Sequence, residues 1–207
     1  MSSAAASFYF DLANPLAYLA AERILQALPA PAEWQPVLAC ALQGARELPG
    51  AEAPAGWRRA EEGASMRDEV ARRARELDLQ PLRWPDPFPF DSSLAMRVAT
   101  YAKSIGRAVP FAQAAFRQAF AGGHSLEDPD HVLIAAAACE MHPAAVLRGA
   151  GLRAVEQQLA AATNAAAGIG VEEVPAIVVG GRVFAGERLL EDAARHMRGA
   201  SRGAQSR

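Results

Sequence analysis

The chain has 207 residues, 51% hydrophobic and 21% charged, with 21 basic against 23 acidic side chains and a formal net charge of −2. That length predicts one globular domain with room for an inserted subdomain. The scattered charges form no basic stripe, which argues against nucleic acid as a partner, and no apolar run is long enough to span a bilayer. The first six residues lack the charged and apolar regions of a secretory signal, which points to the cytoplasm.

Ser7-Phe8-Tyr9-Phe10 is short and aromatic-rich and is bounded by Asp11 and Asn14, the pattern of a buried strand. A helix follows at once. Asn14 is a favoured N-cap, Pro15 suits the first helical position, and Leu16, Leu19, Ala20, Ile24, Ala27 and Leu28 recur at helical spacing. A strand entering a helix N-terminus presents unpaired amides and the positive end of a dipole, which favour an anion or a thiolate. The plainest role of Asn14 is to cap this helix. Its carboxamide can also donate to a thiolate, but it cannot act as an oxygen nucleophile, so a serine-hydrolase reading fails here.

Pro29-Ala30-Pro31 marks a turn and residues 34–39 a second strand, so the opening reads as a parallel β-α-β unit. Residues 45–56, with two prolines and two glycines, form a loop. Met66, Val70, Ala74 and Leu77 mark the apolar face of an amphipathic helix, and the proline-rich 81–89 segment cannot be helical. Ser92 or Ser93 caps the next helix, whose predicted face is Leu94, Val98, Tyr101 and Ile105, ending at Gly106. Phe111, Ala112, Ala115, Phe116, Ala119 and Phe120 form another stripe. Asp128-Pro129 and His142-Pro143 each start a helix, and Leu152, Val155, Leu159, Ala162 and Ala166 mark a further one.

Residues 176–179 and 182–184 are β-rich runs separated by Gly180-Gly181, the pattern of a two-residue hairpin opened by Val174-Pro175. The last helix follows Gly186-Glu187-Arg188 and buries Leu189, Leu190, Ala193, Ala194 and Met197. Residues 1–6 and 199–207 read as disordered tails. Cys40 and Cys139 are far apart and outside any Cys-x-x-Cys pattern, so they read as buried thiols, with a mutual disulfide as the alternative. His124, His131, His142 and His196 lack metal-ligand spacing and read as capping or surface residues, so no metal is expected.

Phe8-Tyr9-Phe10-Asp11 followed by Asn14-Pro15-Leu16-Ala17-Tyr18-Leu19, with Pro175 opening the third strand, resembles the 2-hydroxychromene-2-carboxylate isomerases and kappa-class glutathione transferases. These are DsbA-like members of the thioredoxin-fold group. The resemblance implies an α/β fold: a thioredoxin-like domain over 7–45 and 168–198, with an all-helical insertion over 57–167 between the β-α-β unit and a C-terminal β-hairpin and helix. Asn14 stands where those proteins have a serine that holds the thiolate of bound glutathione. Pro175 would be a cis-proline facing Asn14, and the Val174 main chain would pair with the cysteinyl part of glutathione.

In the same resemblance Gly186-Glu187 matches a motif whose acid grips the γ-glutamyl amine, one residue shorter in spacing here. Trp84, Phe88 and Phe90 would line a hydrophobic substrate pocket, core packing being the other role open to them. Glu62 and Ser65 fall near positions where the family commonly has a lysine and a tyrosine; Arg58, Arg59 or Arg67 would supply the basic contact or form a solvated face. The implied function is a glutathione-dependent isomerase acting on a small aromatic-derived molecule, with a homodimer expected. The alternatives are a kappa-type transferase, a DsbA-family oxidoreductase homologue, or a non-catalytic thioredoxin-fold binding module.

Overall fold

The computed structural model describes residues 5–42 and 60–205. The loop expected at 45–56 and the candidates Arg58 and Arg59 lie outside them, as do the side chains of Glu62 and Ser65. A four-stranded sheet with order β2-β1-β3-β4 is built from β1 (Ala6–Phe10), β2 (Ala32–Pro36), β3 (Ala176–Val179) and β4 (Arg182–Ala185). β1 runs parallel to β2 and antiparallel to β3, and β3 is antiparallel to β4. The parallel pair is joined by α1 (Pro15–Ala27). Gly180 and Gly181, at φ +58° and +81°, make the tight turn between β3 and β4, a backbone that twists with the strands and suits glycine.

β1 starts one residue before the expected strand: Ala6 is buried and in register with Ala32 and Val179, so it belongs to the sheet rather than to a tail. Its alternation sends Ala6, Phe8 and Phe10 into the main core, where both rings lie against Trp34 at 5.0 and 5.6 Å. β2 covers 32–36 rather than 34–39. Val37 N still donates to Phe10 O, but the next two amides leave the sheet: Leu38 N donates to Thr163 Oγ1 and Ala39 N to Asp11 Oδ2, turning the chain into α2 (Ala39–Leu42).

The inserted segment supplies α3 (Ala60–Glu76), α4 (Ser93–Ser104), α5 (Ala108–Phe120), α6 (Pro129–Ala137), α7 (Pro143–Ala150) and α8 (Arg153–Gly168). α3 buries Val70 and Ala74 as its spacing predicts, and α5 buries all six residues of its stripe. α4 follows its predicted face at Val98, which is buried, and at Leu94 and Tyr101, which pack partly buried against the core, but the buried surface is wider than predicted and leaves Ile105 out. Ala95, Met96, Val98, Ala99 and Ala102 are buried, whereas Ile105 is 48% exposed. α4 is packed by α5, α7, α8 and β2, and small residues let those neighbours approach on several sides. Ser92 holds the N-cap position, as one of the two predicted, but makes no side-chain cap bond; Asp91 Oδ1 instead accepts from Ser93 N at 2.9 Å.

A second, smaller core on the other face of the sheet gathers Val37, Leu42, Ala166, Val171, Val174, Ala176 and Val178. α9 (Leu189–Gln205) buries the expected five residues and continues through 199–205, which had read as a tail. That stretch has no proline, and extending an existing helix needs no new nucleus, which offsets the cost of its two glycines.

Candidate functional site

The site begins where β1 ends. Asp11 is buried, and its two carboxylate oxygens accept from Ala13 N at 3.0 Å and Ala39 N at 2.9 Å. Asn14 N donates to the Asp11 carbonyl, closing the turn that delivers the chain to α1. Burial pushes the Asp11 carboxyl above its ordinary pKa against the pull of those amides and the Ser92 hydroxyl, and the charge of Asp91 adds to the rise.

Asn14 sits at the N-cap with extended backbone, φ −96° and ψ 114°. Its Oδ1 accepts from Ala17 N at 3.0 Å and its Nδ2 donates to Val174 O at 2.9 Å. The two bonds fix which way the carboxamide points, because only its oxygen can accept from an amide and only its nitrogen can donate to a carbonyl. The Val174-Pro175 bond is cis. The helix start and the segment that opens β3 are therefore tied together by one side chain, across the 160 residues from Asn14 to Val174. No acidic residue in the first turn of α1 offsets the positive end of its dipole.

Val174 and Pro175 wall a cavity of about 480 Å³ whose apolar lining includes Leu16, Leu19, Leu77 and Leu189. Gly186, Glu187 and Arg188 line it too, so these sequence candidates share one space with Val174-Pro175. Gly186, at φ +79°, turns the chain there just before α9. Charges of both signs ring the cavity. Glu187 pairs with Arg73, whose Nε also donates to Glu69 at 2.7 Å. Arg72 is held by Glu69 and Glu76, and Arg23 by Glu191 at 2.7 Å. Burial raises the Glu191 carboxyl, but Arg23 outweighs it and the net shift is downward.

The aromatic candidates are elsewhere. None of Trp84, Phe88 and Phe90 is among the residues lining this cavity. Trp84 and Phe88 lie 4.9 Å apart and pack on Phe120, Phe90 is buried, and the Arg67 guanidinium lies 5.4 Å from both the Trp84 and Phe88 rings. Their place is core packing plus a cation–π contact. Arg67 is committed there and donates to Phe88 O at 3.3 Å.

Cys139 is buried as expected, but Cys40 is exposed and both are free, so neither the buried reading of Cys40 nor the disulfide holds. Desolvation by its neighbours and the charge of Asp11 push the Cys40 thiol up. Sequence reasoning missed Asp11, visible only as an acid wedged between a buried strand and an N-cap, and Arg73, indistinguishable from its solvated neighbours.

The DSBA-like thioredoxin domain family matches residues 6–198. The chain belongs to that family. Its fold is that of a solved 2-hydroxychromene-2-carboxylate isomerase, with a TM-score of 0.82 over 98% of both chains at 17% identity. A probable DsbA oxidoreductase from Streptomyces coelicolor gives 0.73 over 94% of this chain and 88% of that one at 20% identity. The cytosolic disulfide reductase DsbM from Pseudomonas aeruginosa, solved with GSH, gives 0.63 over 96% and 99% at 11% identity. At these identities the likeness is one of fold. No curated protein matches the sequence. Within this DSBA-like chain the first turn reads Asn14-Pro15-Leu16-Ala17, so dithiol exchange has no cysteine to run on at the helix start.

Proposed function

We propose that the protein is a cytoplasmic, glutathione-dependent isomerase of the 2-hydroxychromene-2-carboxylate isomerase type, acting on a small aromatic-derived molecule. The observation that carries this reading is the Asn14–Val174 hydrogen bond, which sets an uncompensated helix start against the cis Val174-Pro175 segment; Val174 and Pro175 wall the cavity, whereas Asn14 is not among its lining residues. The donor set fits the cofactor: glutathione carries two carboxylates and an ammonium, and the cavity is lined by both arginines and glutamates beside apolar side chains. Bound there, glutathione would supply a thiolate that adds to an electrophilic carbon and is later expelled.

The chain's own residues do the rest. The α1 dipole and the second Nδ2 hydrogen of Asn14 favour a deprotonated sulfur. The Val174 main chain pairs with the cysteinyl backbone as an added strand would, using the carbonyl lone pair that Asn14 leaves. Glu187 takes the amine, and Leu16, Leu19 and Leu77 keep water from the apolar side. Family likeness in fold supports this assignment, and the pairing of DsbM with GSH supports glutathione as the ligand.

The test is calorimetric titration of glutathione into wild type, Asn14→Ala and Asn14→Ser, followed by turnover of 2-hydroxychromene-2-carboxylate with and without glutathione. Binding that weakens in Asn14→Ala, with turnover that needs glutathione, supports the proposal; no binding at millimolar glutathione sinks it. One observation favours a second reading, a non-catalytic binding module: Asn14 and Glu187 are each already engaged within the protein, by Val174 and Arg73.

A further inference from the structure

We infer that Asp11 is a positioning residue for the helix-start site: its carboxyl group locks the turn that presents Asn14, and its charge works against any anion held there. The inference rests on the reading of that helix start as a thiolate site and adds to it a residue that sets how acidic the thiol is.

The turn is tied down amide by amide. Leu12 N donates to Met96 Sδ at 3.2 Å, Ala13 N to Asp11 Oδ1 at 3.0 Å and Asn14 N to the Asp11 carbonyl at 3.0 Å. The first bond ends on α4 and the other two on Asp11 itself. Its second carboxylate oxygen takes Ala39 N at 2.9 Å from the start of α2, and the Ser92 hydroxyl at the start of α4 also donates to the group. Two amides from different elements thus converge on one side chain, a task for a group that only accepts. A carboxamide would turn its NH2 toward one of them.

The same group carries a buried charge without a counterion. The titratable groups that face it are Asp91, just before α4, and the Cys40 thiol of α2, and among the described residues no cation acts on it. α1 has no acid in its first turn, so Asp11, three residues before Asn14, is the acid nearest to the helix start along the chain. A thiolate beside Asn14 adds a second negative charge close to a buried one, and each disfavours the other. The coupling is reciprocal: a thiolate draws a proton onto Asp11, and an ionised Asp11 keeps the thiol less acidic. The pull of the dipole and of Asn14 is thereby moderated. That suits a sulfur that must attack carbon, because nucleophilicity falls as a thiolate is stabilised.

The first test needs no glutathione. Asn14→Cys in a Cys40→Ala, Cys139→Ala background places a reporter thiol at the N-cap, and the pH dependence of its alkylation gives its midpoint once circular dichroism has shown each variant folded. Adding Asp11→Asn should lower that midpoint by about one pH unit, the scale of one like charge nearby. Met96→Leu frees the Leu12 amide but keeps the charge, and should leave the midpoint in place or raise it. A midpoint that Asp11→Asn leaves in place or raises overturns the inference. If Asp11→Asn does not fold, Asn14→Asp reads the coupling from the other side: carboxyl-carbon NMR should find Asp11 titrating about one pH unit higher than in wild type, and no rise overturns the inference. Calorimetry then connects the charge to the ligand. Asp11→Asn should bind glutathione more tightly, by up to about tenfold, and S-methylglutathione, which forms no thiolate, no more tightly. Equal weakening of both overturns the inference while the glutathione reading stands, and wild type that binds neither at millimolar concentration sinks the glutathione reading and leaves the reporter thiol to decide on Asp11.

Discussion

Asn14 Nδ2 donates to the Val174 carbonyl at 2.9 Å while Oδ1 of the same carboxamide accepts from Ala17 N at 3.0 Å. One side chain thus caps α1 and ties it to the cis-proline segment. Asn14→Ala removes both bonds and leaves the carbonyl of buried Val174 short of a partner. The expected cost is about 2 kcal/mol in urea unfolding, about 1 from the cap and the remainder from the carbonyl. Asn14→Ser keeps the cap and should lose about half as much. Equal losses in the two variants would show that the cap contributes nothing.

Thr163 plays a similar joining part on the other face of the sheet. Its buried hydroxyl donates to Leu159 O at 2.9 Å and accepts from Leu38 N at 3.1 Å, at the point where β2 gives way to α2. Thr163→Val has nearly the same shape but orphans that amide, at about 1–3 kcal/mol. Thr163→Ser keeps both bonds and gives up one methyl, about 1 kcal/mol. Chemical denaturation that ranks valine above serine would contradict this role.

The parts of the fold that sequence made legible are those with a local signal. The aromatic β1, the Gly180-Gly181 turn, the Asp128-Pro129 start and the α5 stripe each follow from neighbours in the chain. The face of α4 was legible at Leu94, Val98 and Tyr101 but drawn too narrow, because the rest of its packing rests on alanines, which score weakly as apolar yet permit the closest approach. Trp84 and Phe88 were ambiguous because an aromatic beside proline looks the same whether it faces a pocket or a core. Asn14–Val174 and Arg73–Glu187 join residues 160 and 114 apart, which no local window encodes; for the first, family resemblance supplied the pairing of segments but not the bond.

Close approach within the insertion gives a further test. In α7, a Cβ at Gly149 would collide with the Tyr101 ring of α4. Gly149→Ala should gain helix propensity yet lose stability overall, by about 1–3 kcal/mol, because the ring must shift in a packed core. Adding Tyr101→Leu should recover part of the loss. A Gly149→Ala protein that melts at or above the wild-type temperature would show that these helices are not in contact as described.

Asp11 gives the pH dependence. Burial raises its carboxyl above the ordinary value of 3.8, against the amides of Ala13 and Ala39 and the Ser92 hydroxyl, with Asp91 adding to the rise. From that ordinary value up to the native one, the folded protein holds a proton that the unfolded chain has released. Stability rises with pH only where the unfolded state binds more protons, and here the folded state binds more. The contribution is therefore fully present below the unfolded pKa and lost as pH rises through the native one. Subtracting the unfolding free energy of Asp11→Asn from that of wild type should leave a difference that falls with pH across this window and is flat above it. The Asp11 charge also helps push the exposed Cys40 thiol up, so Asp11→Asn in a Cys139→Ala background should speed alkylation of Cys40 at neutral pH. A difference curve that climbs with pH would mean that the amides outweigh burial and hold Asp11 ionised; an alkylation rate unchanged by Asp11→Asn would mean that packing around Cys40, not the Asp11 charge, holds its thiol up.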